Sequence, residues 1–213
     1  MREEAMSGPD VDAAMARAAI RHALHRLRAG LSSRLTYHNL WHTEEEVMPA
    51  AQRLARASGV SEAQRRLLAV AAAYHDIGFL CGYEDHERAG AAVAAEALPR
   101  FGFAAEEVRR VEGLILATRL DARPQDLVQA ILADADLDVL GRDDFLSRSD
   151  ALWREVVYYS PPASRQAWLQ EQLAFVRQRR YFTEAARALR DEGRRRNVRR
   201  LEALIRREQA QLR

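Results

Sequence analysis

Apolar residues recur at intervals of three and four, not two, through nearly every segment of this 213-residue chain. That period belongs to helices with one buried face. Alanine at about forty positions, with abundant Arg, Glu, Gln and Leu, adds helix propensity. The sequence therefore predicts an all-α chain, a helical bundle with a C-terminal helical extension. A first helix is expected over about 11–28, with Ala13, Ala16, Ile20, Leu24 and Leu27 inward, and a second over about 37–57, stopping at Gly59. The third opens on the capping-box pattern Ser61-x-x-Gln64 and runs to Tyr74; it is apolar all round through its Leu and Ala run, so it should be central. Further helices are predicted over about 86–98, 104–119 and 124–140, the last with Pro124 in its first turn. A Trp- and Tyr-bearing segment over 143–159 and two helices over about 163–180 and 183–212 complete the chain. Pro161-Pro162 marks the boundary between a helical core, 1–160, and C-terminal helices, 161–213, expected to pack on the same domain.

Composition removes several chemistries. All 33 residues counted as Lys+Arg are arginine. Without lysine there is no Schiff base, no P-loop lysine on a phosphate and no lysine general base. Cationic help to a substrate must come from Arg, protonated His or a metal. A net charge of +2 is too small to indicate a nucleic-acid partner. The run Arg194 to Arg200 reads as a surface helix, with Val198, Leu201 and Ile205 inward and Glu192, Glu202 and Glu208 pairing with arginines. Cys81 is alone, no stretch approaches the roughly 20 apolar residues of a membrane span, and Met1 to Asp10 lacks a signal peptide's apolar core. These features lead to the expectation of a cytoplasmic protein with neither membrane nor nucleic acid as partner.

Titratable residues in apolar surroundings carry the functional signal. Tyr37-His38-Asn39-Leu40-Trp41-His42 places two histidines at i and i+4, on one face if the segment is helical. His75-Asp76 ends the apolar helix, a costly position unless something compensates both groups. Asp134, Asp136 and Asp138 interrupt a second apolar run and cannot all face solvent. His86-Glu87 opens the helix between them. Histidine and carboxylate from several helices form a mixed nitrogen and oxygen donor set rather than a thiolate-rich structural zinc site. A divalent cation in such a set polarises a phosphoryl oxygen and lowers the pKa of water from about 15.7 towards 7, chemistry that needs no lysine.

The order His42, His75-Asp76, Asp136 resembles the H, HD, D signature of the HD-domain superfamily of metal-dependent phosphohydrolases. The Tyr37-His38-Asn39-x-x-His42 string is similar to that of the cyclic-nucleotide phosphodiesterases of the superfamily, where the first His is the general acid and the second a ligand. The resemblance implies His42, His75, Asp76 and Asp136 as metal ligands and His38 as acid. It implies His86 and Glu87 as catalytic residues near the attacking water or a second metal. The pattern Asp136-Leu137-Asp138-Val139-Leu140-Gly141, with Tyr158-Tyr159, Arg180-Tyr181-Phe182 and Asn197, resembles a bacterial group of HD phosphohydrolases, so the likeness covers about 35–205. Where many relatives have Ile-Gly-Lys after the doublet, this chain has Ile77-Gly78-Phe79, which leaves Arg34 or Arg119 as candidates for substrate binding. Relatives with such Asp-rich runs use the second Asp, which favours Asp136 over Asp134.

Each residue also has a plainer role open to it. His38, His86 and Glu87 can act as supports or as an exposed helix start, His22 and His25 read as surface residues, and Trp41, Trp153 and Trp168 read as core. The combined expectation is hydrolysis of a small phosphoester, a nucleotide or related metabolite, by metal-activated water with one or two ions of Mn, Fe, Mg, Co or Zn. The alternative is a non-catalytic HD module that binds a nucleotide or metal to regulate a partner. A homo-oligomer is compatible with either.

Overall fold

Alanine sets the architecture. In the computed structural model, which describes residues 8–211, nine α-helices are joined by short turns, with no strand among the described residues. Helix α3 (Glu62–Tyr74) is the centre of the bundle: Leu68, Val70, Ala71, Ala72, Ala73 and Tyr74 are all fully buried. Methyl-sized side chains let helices approach closely. Around α3 pack α1 (Pro9–Gly30), α2 (Met48–Ala57), α5 (Ala105–Leu116) and α6 (Leu127–Asp136). The predicted capping box starts α3, with the Ser61 hydroxyl accepting from Gln64 N–H and the Gln64 side chain accepting from Ser61 N–H. His75-Asp76 is thereby delivered to the middle of the molecule.

Two predicted helices differ at their ends, each for an identifiable reason. Tyr37, His38 and Asn39 stay outside the second helix, and residues His42–Val47 form a π-helical stretch before α2. Pro49 lacks the N–H that an α-helix would use at that point and its ring crowds the preceding carbonyl. The backbone widens instead, with Met48 N–H bonded to Thr43 O. The sixth helix begins at Leu127, not Pro124, because the Asp126 carboxylate caps it, accepting from Val128 N–H at 2.9 Å and Gln129 N–H at 3.1 Å. It ends at Asp136, and a 3-10 turn, Asp138–Gly141, carries the chain on. α5 stops at Leu116, which leaves Arg119 in a turn. Met1 to Ser7, the expected lack of a leader there, and the predicted end at Leu212 lie outside the described residues. No described helix is long and apolar enough to cross a membrane.

The chain continues through α4 (His86–Ala97), α7 (Phe145–Tyr159), α8 (Arg165–Gln178) and α9 (Glu184–Gln211). α9 packs against α8 and the 138–141 turn. Polar staples fix this contact. Asn197 is fully buried and donates to the Leu140 and Arg142 carbonyls, while buried Arg194 donates to Val176 O. Arg196 pairs with Asp143 and Arg200 donates to Asp143 O. The arginine run thus supplies much of its positive charge to the protein itself. Trp168 is core and Trp153 packs on it, but Trp41 is 58% exposed, because the π-helical turn directs His42 inward in its place. His25 is exposed as expected, whereas His22 is half-buried, bonded through Nδ1 to the Tyr74 hydroxyl at 2.8 Å.

The backbones of α9 and the 138–141 turn nearly touch. A Cβ on Gly193 would lie 1.9 Å from the Gly141 carbonyl oxygen, whereas one on Gly82 would meet nothing within 4 Å. Gly193→Ala should cost about 2 kcal/mol or more by forcing the two elements apart, lowering the melting temperature by roughly 4–8 °C. Gly82→Ala should leave the melt unchanged. Equal melting temperatures for the two variants would contradict this packing.

Candidate active site

Four polar side chains converge under the C-terminal end of α3. His42 comes from the π-helical turn, His75 and Asp76 from the end of α3, and Asp136 from the end of α6. His42 Nε2 lies 3.2 Å from Asp136 Oδ1 and 3.7 Å from Asp76 Oδ2. His75 Nε2 lies 3.2 Å from Asp76 Oδ2 and 3.6 Å from Asp136 Oδ1. His42, His75 and Asp76 are buried, and one donor atom from each lies within 4.8 Å of the others. That span suits ligands held about 2.0–2.6 Å from one ion.

The far side of each imidazole fixes its near side. His75 Nδ1–H donates to Ala72 O at 2.8 Å, and His42 Nδ1–H donates to Glu46 Oε2 at 2.9 Å. Each Nε2 is then the atom turned towards the carboxylates, the one place on the ring where a second proton or a cation can sit. Glu46 is itself buried and is held by Arg148 at 2.9 Å and Arg142 at 2.8 Å. Burial pushes the Glu46 carboxyl up, but the His42 hydrogen bond and the two arginines outweigh it and hold it below its usual range. Burial also works against charge on the two histidines. Asp136, Glu46 and Asp76 reverse the balance at His42, pushed up to about 8, and Asp76 and Asp136 drive His75 well above its ordinary value. In the same exchange Asp76 and Asp136 stay far below the carboxylate range despite their burial. The pocket demands positive charge between these groups. His75 Nε2 and Asp76 Oδ2 have no hydrogen-bond partner, the expected condition of atoms shaped to bind a cation rather than each other.

A second group flanks this cluster. His38 Nδ1 bonds Glu155 Oε1, and Glu155 Oε2 accepts from Tyr37 N–H at 2.8 Å and His38 N–H at 3.0 Å. Glu155 is fully buried on α7. Phe79 fills the position after Ile77-Gly78 and stacks on His86, with ring centroids 3.9 Å apart, and on His38 at 4.7 Å. α4 reaches this place through a glycine crossing. A Cβ on Gly78 would sit 1.8 Å from the His86 carbonyl oxygen, and one on Gly90 would stand 3.2 Å from that of His75. The close approach sets His86 Nε2 3.6 Å from Asp76 Oδ1, with Glu87 Oε2 3.6 Å from its Nδ1. Burial holds the His86 pKa down, partly offset by Asp76 and Glu87.

A cavity of about 320 Å³ opens on His38, Asp76, His86, Glu87 and Asp136. The structure thus gathers seven of the nine expected site residues. Arg34 and Arg119 do not line the cavity: Arg34 stacks over the Tyr158 ring at 4.7 Å, and Arg119 pairs with Asp85 and Asp121. The three aspartates of the 134–138 run divide cleanly. Asp134 caps α9, accepting from Phe182 N–H and Thr183 N–H at 2.8 Å each, and Asp138 binds Arg190 and Arg53, so Asp136 alone turns to the histidines. Glu46 and Glu155 escaped the sequence reading. Glu46 is i+4 from His42, a spacing that could have shown it, whereas Glu155 lies 118 positions from Tyr37 with no local signature.

No curated protein and no solved structure matches the chain. Residues 44–138 match the family model described as HD domain. The match holds His75, Asp76, Glu46 and Asp136, and begins two residues after His42, which the fold brings to the same point. The order of ligand-type residues and the helical fold agree with that match: residues 44–138 of this chain are similar to an HD domain.

Proposed function

We propose that the protein hydrolyses a phosphoester in a nucleotide or related small metabolite at the His42, His75, Asp76 and Asp136 cluster, with a divalent cation held by these four residues. The observation that supports it most is the pair of orphaned buried atoms, His75 Nε2 and Asp76 Oδ2, beside two further donors of opposite element from different helices. Imidazole and carboxylate together suit Mn, Fe, Co or Zn, with Mg accepted mainly through the carboxylates. When bound, such an ion supplies Lewis acidity towards a phosphoryl oxygen and acidifies a water.

The remaining chemistry belongs to the chain. His38 has Nδ1 held by Glu155, so Nε2 is the atom left to give a proton to the departing oxygen, and the buried Glu155 carboxylate fixes the ring in that orientation. His86 faces the cavity with its protonated form disfavoured by burial, which makes it the group to orient or deprotonate the attacking water, and Glu87 fixes its ring. Phe79 stacks on both His38 and His86 and holds the two rings beside each other. Arginine stays outside the cavity, so the transferred phosphoryl group is recognised by the ligand cluster and the two histidines.

The deciding experiment is a screen of phosphomonoesters and diesters with Mn, Mg, Co and Fe. Turnover that requires added metal is expected. Tight nucleotide binding with no turnover under any metal would instead identify the non-catalytic module. His38→Ala should lower kcat about 10²–10⁴-fold and Glu155→Gln about 10–100-fold, both with wild-type metal content. These losses should shrink for esters of acidic alcohols such as nitrophenol, which leave without protonation. Equal losses for both ester types would remove His38 from the acid role.

A further inference from the structure

Beyond the metal cluster the cavity changes character. Its far wall is formed by Leu137, Val139, Phe145, Leu152, Val156 and Phe175, contributed by the end of α6, the 138–141 turn, α7 and α8, with Thr118, Ser149, Gln172 and the unpartnered Trp168 Nε1–H as polar interruptions away from the cluster and its neighbours. No arginine lines it. This matters in a chain with 33 arginines and no lysine, because polyphosphate binding relies on cationic forks around each added phosphate. A nucleoside triphosphate would set its extra negative charges against Asp76, Asp136 and Glu87 with no arginine in the walls to offset them. About 320 Å³ of mostly apolar space joined to one phosphoryl position fits a different shape.

Resting on the phosphoester reading above, we infer that the substrate carries a single phosphoryl group on an apolar organic body, an alkyl or aryl phosphoester, whose hydrocarbon part fills the pocket between α6, α7 and α8. α7 and α8, which supply much of the apolar wall, both lie beyond the residues that match the HD family. Leu120, 57% exposed and also lining the cavity, is placed at its mouth, where a longer chain would leave the pocket.

The test uses ethyl-, butyl-, hexyl- and octylphosphonate, which cannot be hydrolysed, titrated calorimetrically into the metal-supplemented protein. Hydrolysis of the matching alkyl phosphates, glycerol phosphate and ATP is followed in parallel. Affinity should rise by about fourfold per methylene until the pocket is filled, as burial of each methylene from water requires. kcat/KM should follow the same order, with glycerol phosphate and ATP at the bottom. Leu120→Asp, at an exposed position that folding tolerates, and Val156→Asp, deeper in the wall, should both flatten the dependence on chain length. Affinity independent of chain length, or ATP bound as tightly as octylphosphonate, would overturn the inference. Chain-length-dependent binding with no ester hydrolysed would overturn the phosphohydrolase reading and leave the ligand class standing. Hydrolysis indifferent to the organic group would do the reverse.

Discussion

Two carboxylates set side by side, Asp76 buried and Asp136 half-buried, need positive charge between them, and the centre of this protein is built around that need. Asp76 and Asp136 lie within 3.2–3.7 Å of two imidazole nitrogens in a place that water reaches poorly. The cost of burying an uncompensated carboxylate is several kcal/mol, more than a marginally stable fold can ignore. A proton on His42 or His75 meets part of it, and a divalent cation meets all of it while using the same lone pairs. The surrounding structure keeps that choice open. Ala72 O and Glu46 take the far N–H of each ring, and Arg142 and Arg148 keep Glu46 charged, so a chain of alternating charge runs from the site to the surface.

The helices serve the same end by bringing distant residues close. Small residues make this feasible: alanines surround α3, Gly78 and Gly90 let α4 cross beneath the doublet, and Gly141 with Gly193 seat α9. α9 is then held by Asp134 and Asp138, which flank Asp136 in the same short run. One sequence element thus orients the site with its middle carboxylate and fastens the C-terminal helix with the outer two. Substitution at any of the three would be felt on both sides of the molecule.

Much of this was readable from residues alone because the signals were local. Period-three-and-four apolar spacing located the helices, the Ser61 box located the start of α3, and the improbable burial of His75-Asp76 pointed to the site. Local signals also misled where local rules were overridden. Pro124 looked like a helix start, but Asp126 satisfied the free N–H groups; Tyr37 to Asn39 looked helical, but Pro49 widened the turn that follows. Arg34 and Arg119 were expected at the phosphate on chemical type only, and type does not fix position. Glu155 and the apolar wall were invisible for a different reason. They arise where α7 and α8 fold back over residues more than a hundred positions earlier, and no spacing in the sequence encodes that meeting.

The chemistry depends on whether the buried cluster holds a metal ion. The most direct measurement is the metal content, by inductively coupled plasma mass spectrometry, of the wild-type protein and of Asp136→Asn and Asp134→Asn variants equilibrated with Mn²⁺ and desalted. Bound metal of one or two ions per chain in the wild type, retained in Asp134→Asn and lost in a folded Asp136→Asn, is the predicted result. Metal-free wild-type protein, or metal that survives Asp136→Asn undiminished, would contradict it.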